Sequence, residues 1–203
     1  VGGTFRLLKN IMGLWLVQEC RRDWQKQGNF LIYDEIDAQA RLSPGLVSVI
    51  DTDDTSFYAA GNMQKKIRQF CARTHQPVPQ TVGETARCIY DSLALKYRFA
   101  LETLETYRGG RIDRLNIVGG GTKNKLMNQL AADATGRTVI AGPVESACVG
   151  ILLMQAVALG ELKNGEEARA VVRDSFATET YESRRTQQWE DSYAKLLSLI
   201  KRA

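Results

Sequence analysis

The sequence predicts an α/β fold, rich in helix and carrying a short parallel sheet. Two apolar strand segments flank a helix in a unit of about 30 residues, the length of one βαβ crossover, which implies parallel strands joined by a right-handed connection. Most of the remaining chain repeats its apolar residues at helical spacing. With 203 residues and 44% apolar content, the chain can bury one ordinary core, or one core plus a helical extension.

The first helix is expected over residues 5 to 27, with Leu7, Leu8, Ile11, Leu14 and Trp15 on one face and Gly28 as its stop. Asn10 and Gln18 fall inside that apolar stripe, eight residues or about 12 Å apart along the axis. Buried amides need partners, which neighbouring loops or a ligand would supply. Residues 28 to 61 lack a clear period. Ser43-Pro44-Gly45 marks a turn there, and Asp51, Asp53 and Asp54 form an acidic cluster. The cluster lacks the glycine and distal glutamate of a calcium loop, so it reads as a solvated loop with helix-capping aspartates.

A helix over Met63 to Thr74, with Met63, Ile67 and Phe70 inward, is broken by Gln76-Pro77-Val78-Pro79. The clearest helix spans Val82 to Tyr107. Thr81 and Glu84 make a capping box, the apolar positions recur every three or four residues, and Gly109-Gly110 ends the run. Strand Ile112 to Val118, helix Asn124 to Thr135 and strand Thr138 to Ala141 form the crossover. Ser146 to Leu159 is apolar enough to be a buried packing helix. A short helix near Gly165 to Asp174 follows, then a tail over 176 to 203 whose last helix puts Trp189, Tyr193, Leu196, Leu197 and Ile200 on one face. Two strands alone would leave both edges of a sheet unpaired, so further strands are expected on the amino-terminal side.

Chemistry concentrates at Asn116-Ile117-Val118-Gly119-Gly120-Gly121-Thr122-Lys123-Asn124, where a strand runs through three glycines into a helix. Glycines there permit positive φ and let bare backbone approach a ligand, and the turn lies at a carboxyl strand end, where open α/β sheets bind ligands. A tight structural turn is the alternative reading. Neither familiar phosphate loop fits. GxxxxGK[ST] is absent, and the dinucleotide fingerprint fails at Asn124, with no acidic residue about 20 positions on to hold a ribose.

Other function classes fall away on composition. The net charge of +4 is 27 minus 23, without a long basic run, so no footprint for nucleic acid stands out. The longest apolar stretch, Val149 to Leu159, is far short of the roughly 20 residues of a membrane span. Cysteines 20, 71, 88 and 148 form no CxxC pair and His75 is the sole histidine, which argues against a zinc site and a nucleophilic triad. His75 reads as solvent-facing or capping beside a helix end. A reduced, cytoplasmic protein is the simpler reading, with a Cys71–Cys88 pairing left open. Val1-Gly2-Gly3-Thr4 carries no signal-type segment and reads as the start of a piece cut from something longer.

Four segments together are more specific than any one of them: Leu8-Lys9-Asn10-Ile11-Met12-Gly13-Leu14-Trp15, Arg87-Cys88-Ile89-Tyr90-Asp91-Ser92-Leu93-Ala94-Leu95-Lys96-Tyr97, Ile117 to Asn124, and Ile140-Ala141-Gly142-Pro143-Val144-Glu145. In order and separation they resemble the carboxy-terminal half of the FGGY carbohydrate kinase family, over roughly residues 4 to 175. The resemblance implies a partial ribonuclease H-like domain of the actin and hexokinase type, the nucleotide-side lobe of an enzyme that closes two lobes over a sugar and Mg2+-ATP. By motif position it implies nucleotide contacts at Asn10, Gln18, Gly119, Gly120, Gly121, Thr122 and Asn124; for Asn124 a helix start is the alternative. It further implies a catalytic aspartate, a second phosphate loop and the lobe's first strands upstream of Val1, so that this piece alone is inactive. The acceptor it implies is a ketose, L-rhamnulose at O1, with fuculose or xylulose as alternatives, and a non-catalytic nucleotide-binding module as the reading from another class. Glu145 has a plain reading as a helix amino-terminal carboxylate, and Trp24 and Trp189 read as packing residues.

Overall fold

The computed structural model describes residues 6–184 and 186–201. Val1-Gly2-Gly3-Thr4 and Phe5, the first residue of the expected helix, lie outside them. Helix α1 covers Trp15–Lys26 only, so the helix expected from residue 5 begins ten residues later. Residues 6 to 13 are irregular, and Leu7 and Leu8, read as part of the stripe, are 59% and 71% exposed. Gly13 disfavours helix by about 1 kcal/mol relative to Ala. The Met12 N–H is drawn away to Asp53 Oδ1 at 2.8 Å, which fixes the segment against another part of the chain. Ile11 and Met12 still pack against the core.

Helix α2, Tyr33–Leu42, lies in the stretch that showed no period. It buries only Ile36 and Ala40, one i, i+4 pair, too narrow a stripe to be seen in sequence. Its first turn is held by Glu35, whose Oε2 accepts from the Ile32 N–H at 2.9 Å. The acidic cluster divides. Asp54 caps a short 3-10 turn at Thr55–Phe57, as expected of a capping aspartate. Asp51 is buried, however, and with Asp53 it receives the Lys96 ammonium at 2.6 and 3.0 Å. The loop is therefore an ion-paired part of the interior, because Lys96, in the middle of a later helix, needs carboxylates when it is buried.

Helix α3, Met63–Arg73, buries Met63, Ile67 and Phe70 as expected. Its amino-terminal amides are capped from α1, with Asp23 Oδ1 accepting from Asn62 N–H at 3.1 Å and Glu19 Oε2 from Gly61 N–H at 2.9 Å. His75, beyond its end, is exposed in the left-handed region at φ 55°. Helix α4, Val82–Arg108, is the 27-residue axis of the fold. Its capping box is formed: Thr81 Oγ1 accepts from Glu84 N–H at 3.1 Å and Glu84 Oε2 from Thr81 N–H at 3.0 Å. Gly109, at φ 76°, closes it. Around α4 pack α1 and α2, with α3 against α1, joined by Trp24, Ile50, Ile89, Leu93 and Leu95 in one core.

Strand β1 (Arg114–Ile117), helix α5 (Lys125–Thr135) and strand β2 (Thr138–Ala141) make the expected crossover, with Arg114 to Ile117 paired in parallel to Thr138 to Ala141. A third strand, β3 (Glu179–Tyr181), runs antiparallel along the other side of β2, so the sheet is mixed, in the order β1-β2-β3. Three residues show no usable alternation, which is why the pattern missed it. Between β2 and β3 stand α6 (Ser146–Ala158) and α7 (Gly165–Ser175). The expectation that α6 is a buried packing helix is overturned: none of its residues is buried, and Ile151 and Leu152 face outward. An apolar sequence permits burial without securing it, and the element that packs most on this helix is α7.

Helix α8 (Gln187–Ile200) brings the tail back onto α4 through buried Trp189, Tyr193 and Leu196, with Arg98 paired to Glu190 at 3.0 Å and stacked over the Tyr193 ring at 3.9 Å. Trp24 and Trp189 are both core residues. All four cysteines are free; the neighbouring Cys71 thiol, together with burial, pushes the Cys88 thiol up. Among the described residues no helix is long and apolar enough to cross a membrane.

Candidate functional site

The glycine turn is built by the ends of the two parallel strands. Gly142 N–H donates to Ile117 O at 2.9 Å and Gly119 N–H to Pro143 O at 3.1 Å, so the loop after β2 clamps the loop after β1. Gly119 sits at φ 79°, a conformation that side chains with a Cβ rarely adopt, and opens a short 3-10 segment, Gly119–Lys123. Thr122 Oγ1 turns back to Gly119 O at 2.8 Å and closes the turn on itself. Asn124 then starts α5, its Oδ1 accepting from Met127 N–H at 2.8 Å.

The three glycines differ in what they do. Gly119 is required by its backbone. Gly120 carries no positive φ, and a Cβ built on it meets nothing within 4 Å; at Gly121 such an atom would touch only Ile117 Cγ2, at 3.9 Å. Bare backbone at Gly120 and Gly121 therefore borders open space. As leading amides of a helical segment, they have no carbonyl behind them in that segment to bond.

That space is a cavity of about 590 Å³, lined by Trp15 and Gln18 of α1, Tyr33, Asp34 and Asp37 of α2, Tyr90 of α4, and the turn at Gly120, Gly121, Lys123 and Asn124. The volume is in the range of ligand sites. Three elements are tied together at its floor. Asn124 Nδ2 donates to Asp37 Oδ1 at 3.0 Å, and the Tyr90 hydroxyl donates to the same oxygen. Burial pushes the Asp37 carboxyl above its ordinary range, against the opposing pull of the Tyr90 and Asn124 hydrogen bonds. Burial, and then the Asp37 carboxylate, raise the Tyr90 phenol, which keeps it a neutral donor.

Of the residues singled out by sequence, Gln18, Gly120, Gly121 and Asn124 meet in this cavity. Gly119 and Thr122 shape the turn without lining it. Asn10 does not join them: it is exposed in the irregular segment before α1, because the helix that was to carry both amides starts only at Trp15. The reading of two amides on one helical stripe is thereby corrected. Gln18 is exposed at the cavity rim and needs no buried partner. Glu145 occupies the position before α6 but makes no side-chain cap. Asp37, Tyr33 and Asp34 were not singled out, since they lie on the helix without a legible period. Tyr90 lay in a quoted segment, but its hydroxyl partner is 53 residues away.

The sequence profile of the "FGGY family of carbohydrate kinases, C-terminal domain" matches residues 1–159. The chain belongs to the FGGY family of carbohydrate kinases. Curated relatives include the rhamnulokinases of Enterococcus faecalis, 46% identical over 182 residues, and Bacteroides thetaiotaomicron, 36% identical over 201 residues. The alignments take in 89% and 99% of this chain but only 36% and 41% of those proteins, so the FGGY chain described here spans about two fifths or less of their length. Solved structures with the same fold include xylulose kinase from Rhodospirillum rubrum (TM-score 0.60, 18% identity, 92% of this chain and 37% of that one). Plasmodium falciparum glycerol kinase with ADP is another (TM-score 0.62, 12% identity, 91% and 37%). These likenesses establish the ribonuclease H-like, actin-type fold of the FGGY kinases for this helix-rich chain.

Proposed function

We propose that this chain is the carboxy-terminal, nucleotide-side part of an ATP-dependent ketose kinase that phosphorylates L-rhamnulose at O1. The single observation that carries the nucleotide reading is the convergence of Gly120, Gly121, Gln18 and Asn124 on one cavity next to a strand end. Its donor set and its bare backbone fit a nucleotide: a Cβ at Gly120 would stand in the open space a ligand would fill. The rhamnulokinase relatives support the sugar, and L-rhamnulose is favoured over fuculose or xylulose on that ground.

ATP brings the transferable phosphoryl group, and Mg2+ would accompany its phosphates; among the described residues no cluster of three or more His, Cys, Asp or Glu is arranged to hold a metal. In this reading the chain's own residues bind and orient. Gln18 and Asn124 place polar contacts on the nucleotide, and the turn at Gly120 lets it approach the backbone. Phosphoryl transfer depends mainly on lining up donor and acceptor and on neutralising charge. We assign the catalytic aspartate and the sugar contacts to the part of the relatives' length that this chain does not span. The exposed apolar residues Ile151, Leu152 and Met154 of α6 and, among the described residues, the unpaired edge of β1 support a further part of the lobe packing there.

The test is turnover of the intact protein with Mg2+-ATP against L-rhamnulose, L-fuculose and D-xylulose, beside the isolated 203-residue chain. The expected result is activity of the intact protein, highest on rhamnulose, and none from the isolated chain. A preference for another ketose overturns the sugar assignment, and turnover by the isolated chain overturns the division of labour.

A further inference from the structure

Leu14 and Trp15 form one wall of the cavity. They stand at the start of α1, and that start is uncapped: no side chain bonds its first amides. What fixes it lies at Met12. The Met12 N–H donates to Asp53 Oδ1 at 2.8 Å, and among the described residues no other hydrogen bond ties residues 6 to 12 to the rest of the chain. Ile11 and Met12 also pack on the core. Apolar contact is non-directional and leaves a segment free to slide, whereas a hydrogen bond to a carboxylate has a direction.

Asp53 is itself held in place. Its Oδ2 pairs with the Lys96 ammonium at 3.0 Å, and the same ammonium reaches Asp51 Oδ1 at 2.6 Å. Two further bonds lay the loop that carries both carboxylates along α4, from Leu46 N–H to Asp91 Oδ2 at 2.6 Å and from Ile50 N–H to Ser92 Oγ at 2.9 Å. Helix α4 also gives Tyr90 to the cavity floor, where its hydroxyl bonds Asp37 of α2. One helix thus holds two sides of the cavity: α2 directly through Tyr90, and the start of α1 through Lys96, Asp53 and Met12.

We propose that Asp53 is a positioning residue for the nucleotide cavity: by holding the Met12 N–H it sets where Leu14 and Trp15 stand, and thereby the affinity for the nucleotide. The inference rests on the nucleotide reading above and extends it to a residue that does not line the cavity. Buried Leu16, Val17, Cys20 and Trp24 keep α1 in the fold without the anchor. What the anchor controls is the fraction of molecules with the wall in place, and apparent affinity falls with that fraction.

The test is calorimetric titration of the intact protein with ADP, in the wild type, in Asp53→Ala and in Asp54→Ala. In Asp53→Ala the Lys96 ammonium keeps Asp51 as its partner. Asp54 stands in the same loop, but its side chain bonds Ser56 and Arg73 and not the segment before α1. Asp53→Ala should weaken ADP binding about fivefold or more, with the number of sites per chain unchanged. Asp54→Ala should lower the melting point and keep the wild-type dissociation constant. A merely structural role would reduce the number of binding sites, or weaken both variants alike. Either result, or a folded Asp53→Ala with wild-type affinity, overturns the proposal. If melting curves show Asp53→Ala unfolded, hydrogen exchange at the Met12 amide of the wild type decides. Because coupling is reciprocal, saturating ADP should slow that exchange about threefold or more, and an unchanged rate overturns the proposal. Wild-type protein that does not bind ADP sinks the nucleotide reading itself; ADP binding that is indifferent to Asp53 sinks only the anchor.

Discussion

Substituting the glycines one at a time separates what the turn needs from what its ligand needs. At Gly119 the backbone lies at φ 79°, so Gly119→Ala forces a Cβ into the left-handed region at a cost of about 1–2 kcal/mol. That loss lowers the melting point, by less in a longer protein than in a short one. At Gly120 there is no positive φ and a Cβ meets no atom within 4 Å, so Gly120→Val should change stability by no more than about 0.5 kcal/mol. Its side chain nevertheless enters the cavity beside Gln18 and Asn124. Losing the close backbone approach should weaken ATP or ADP binding by about tenfold or more, which is about 1.4 kcal/mol. Thermal unfolding and titration calorimetry on both variants of the intact protein give the comparison. The reasoning is refuted if Gly120→Val keeps wild-type affinity, or if it loses stability as Gly119→Ala is expected to.

Gln18→Ala should lower nucleotide affinity several-fold, whereas Asn10→Ala should leave it within error, because only Gln18 lines the cavity; calorimetric titration of each variant checks this. Lys96→Met leaves Asp51 buried without its cation and should cost about 3–5 kcal/mol in urea unfolding. The Ile112 N–H, and after it Arg137, hold the Glu105 carboxyl below its ordinary range. A depressed folded pKa means stability that is present above the unfolded value of about 4.3 and lost as pH falls through the folded one. Wild type should therefore lose more stability than Glu105→Gln as the pH drops below about 4.3, read from urea midpoints; parallel curves would contradict it.

Long helices with caps were legible because their signals are local. Thr81 and Glu84 fixed the start of α4, Gly109 its end, and the i, i+4 repeat between them its buried side. The turn at Gly119 to Gly121 was equally plain, since three glycines between a strand and a helix restrict what the backbone can be doing. What stayed hidden depends on distant partners. The Met12 amide leaves the helix pattern for Asp53, 41 residues on, and takes Asn10 out of the stripe. Helix α2 buries two residues and so left no period, which concealed Asp37, whose partners Tyr90 and Asn124 lie 53 and 87 residues away. Strand β3 exists because β2 is there to pair with, and nothing in three residues says so.

The most direct test is a crystal structure of the intact protein with ADP bound. The account requires the nucleotide to lie between Gln18 and the turn at Gly120, in the cavity that Asn124 also lines. A nucleotide bound elsewhere, with Gly120 and Gly121 covered by protein side chains, would contradict it.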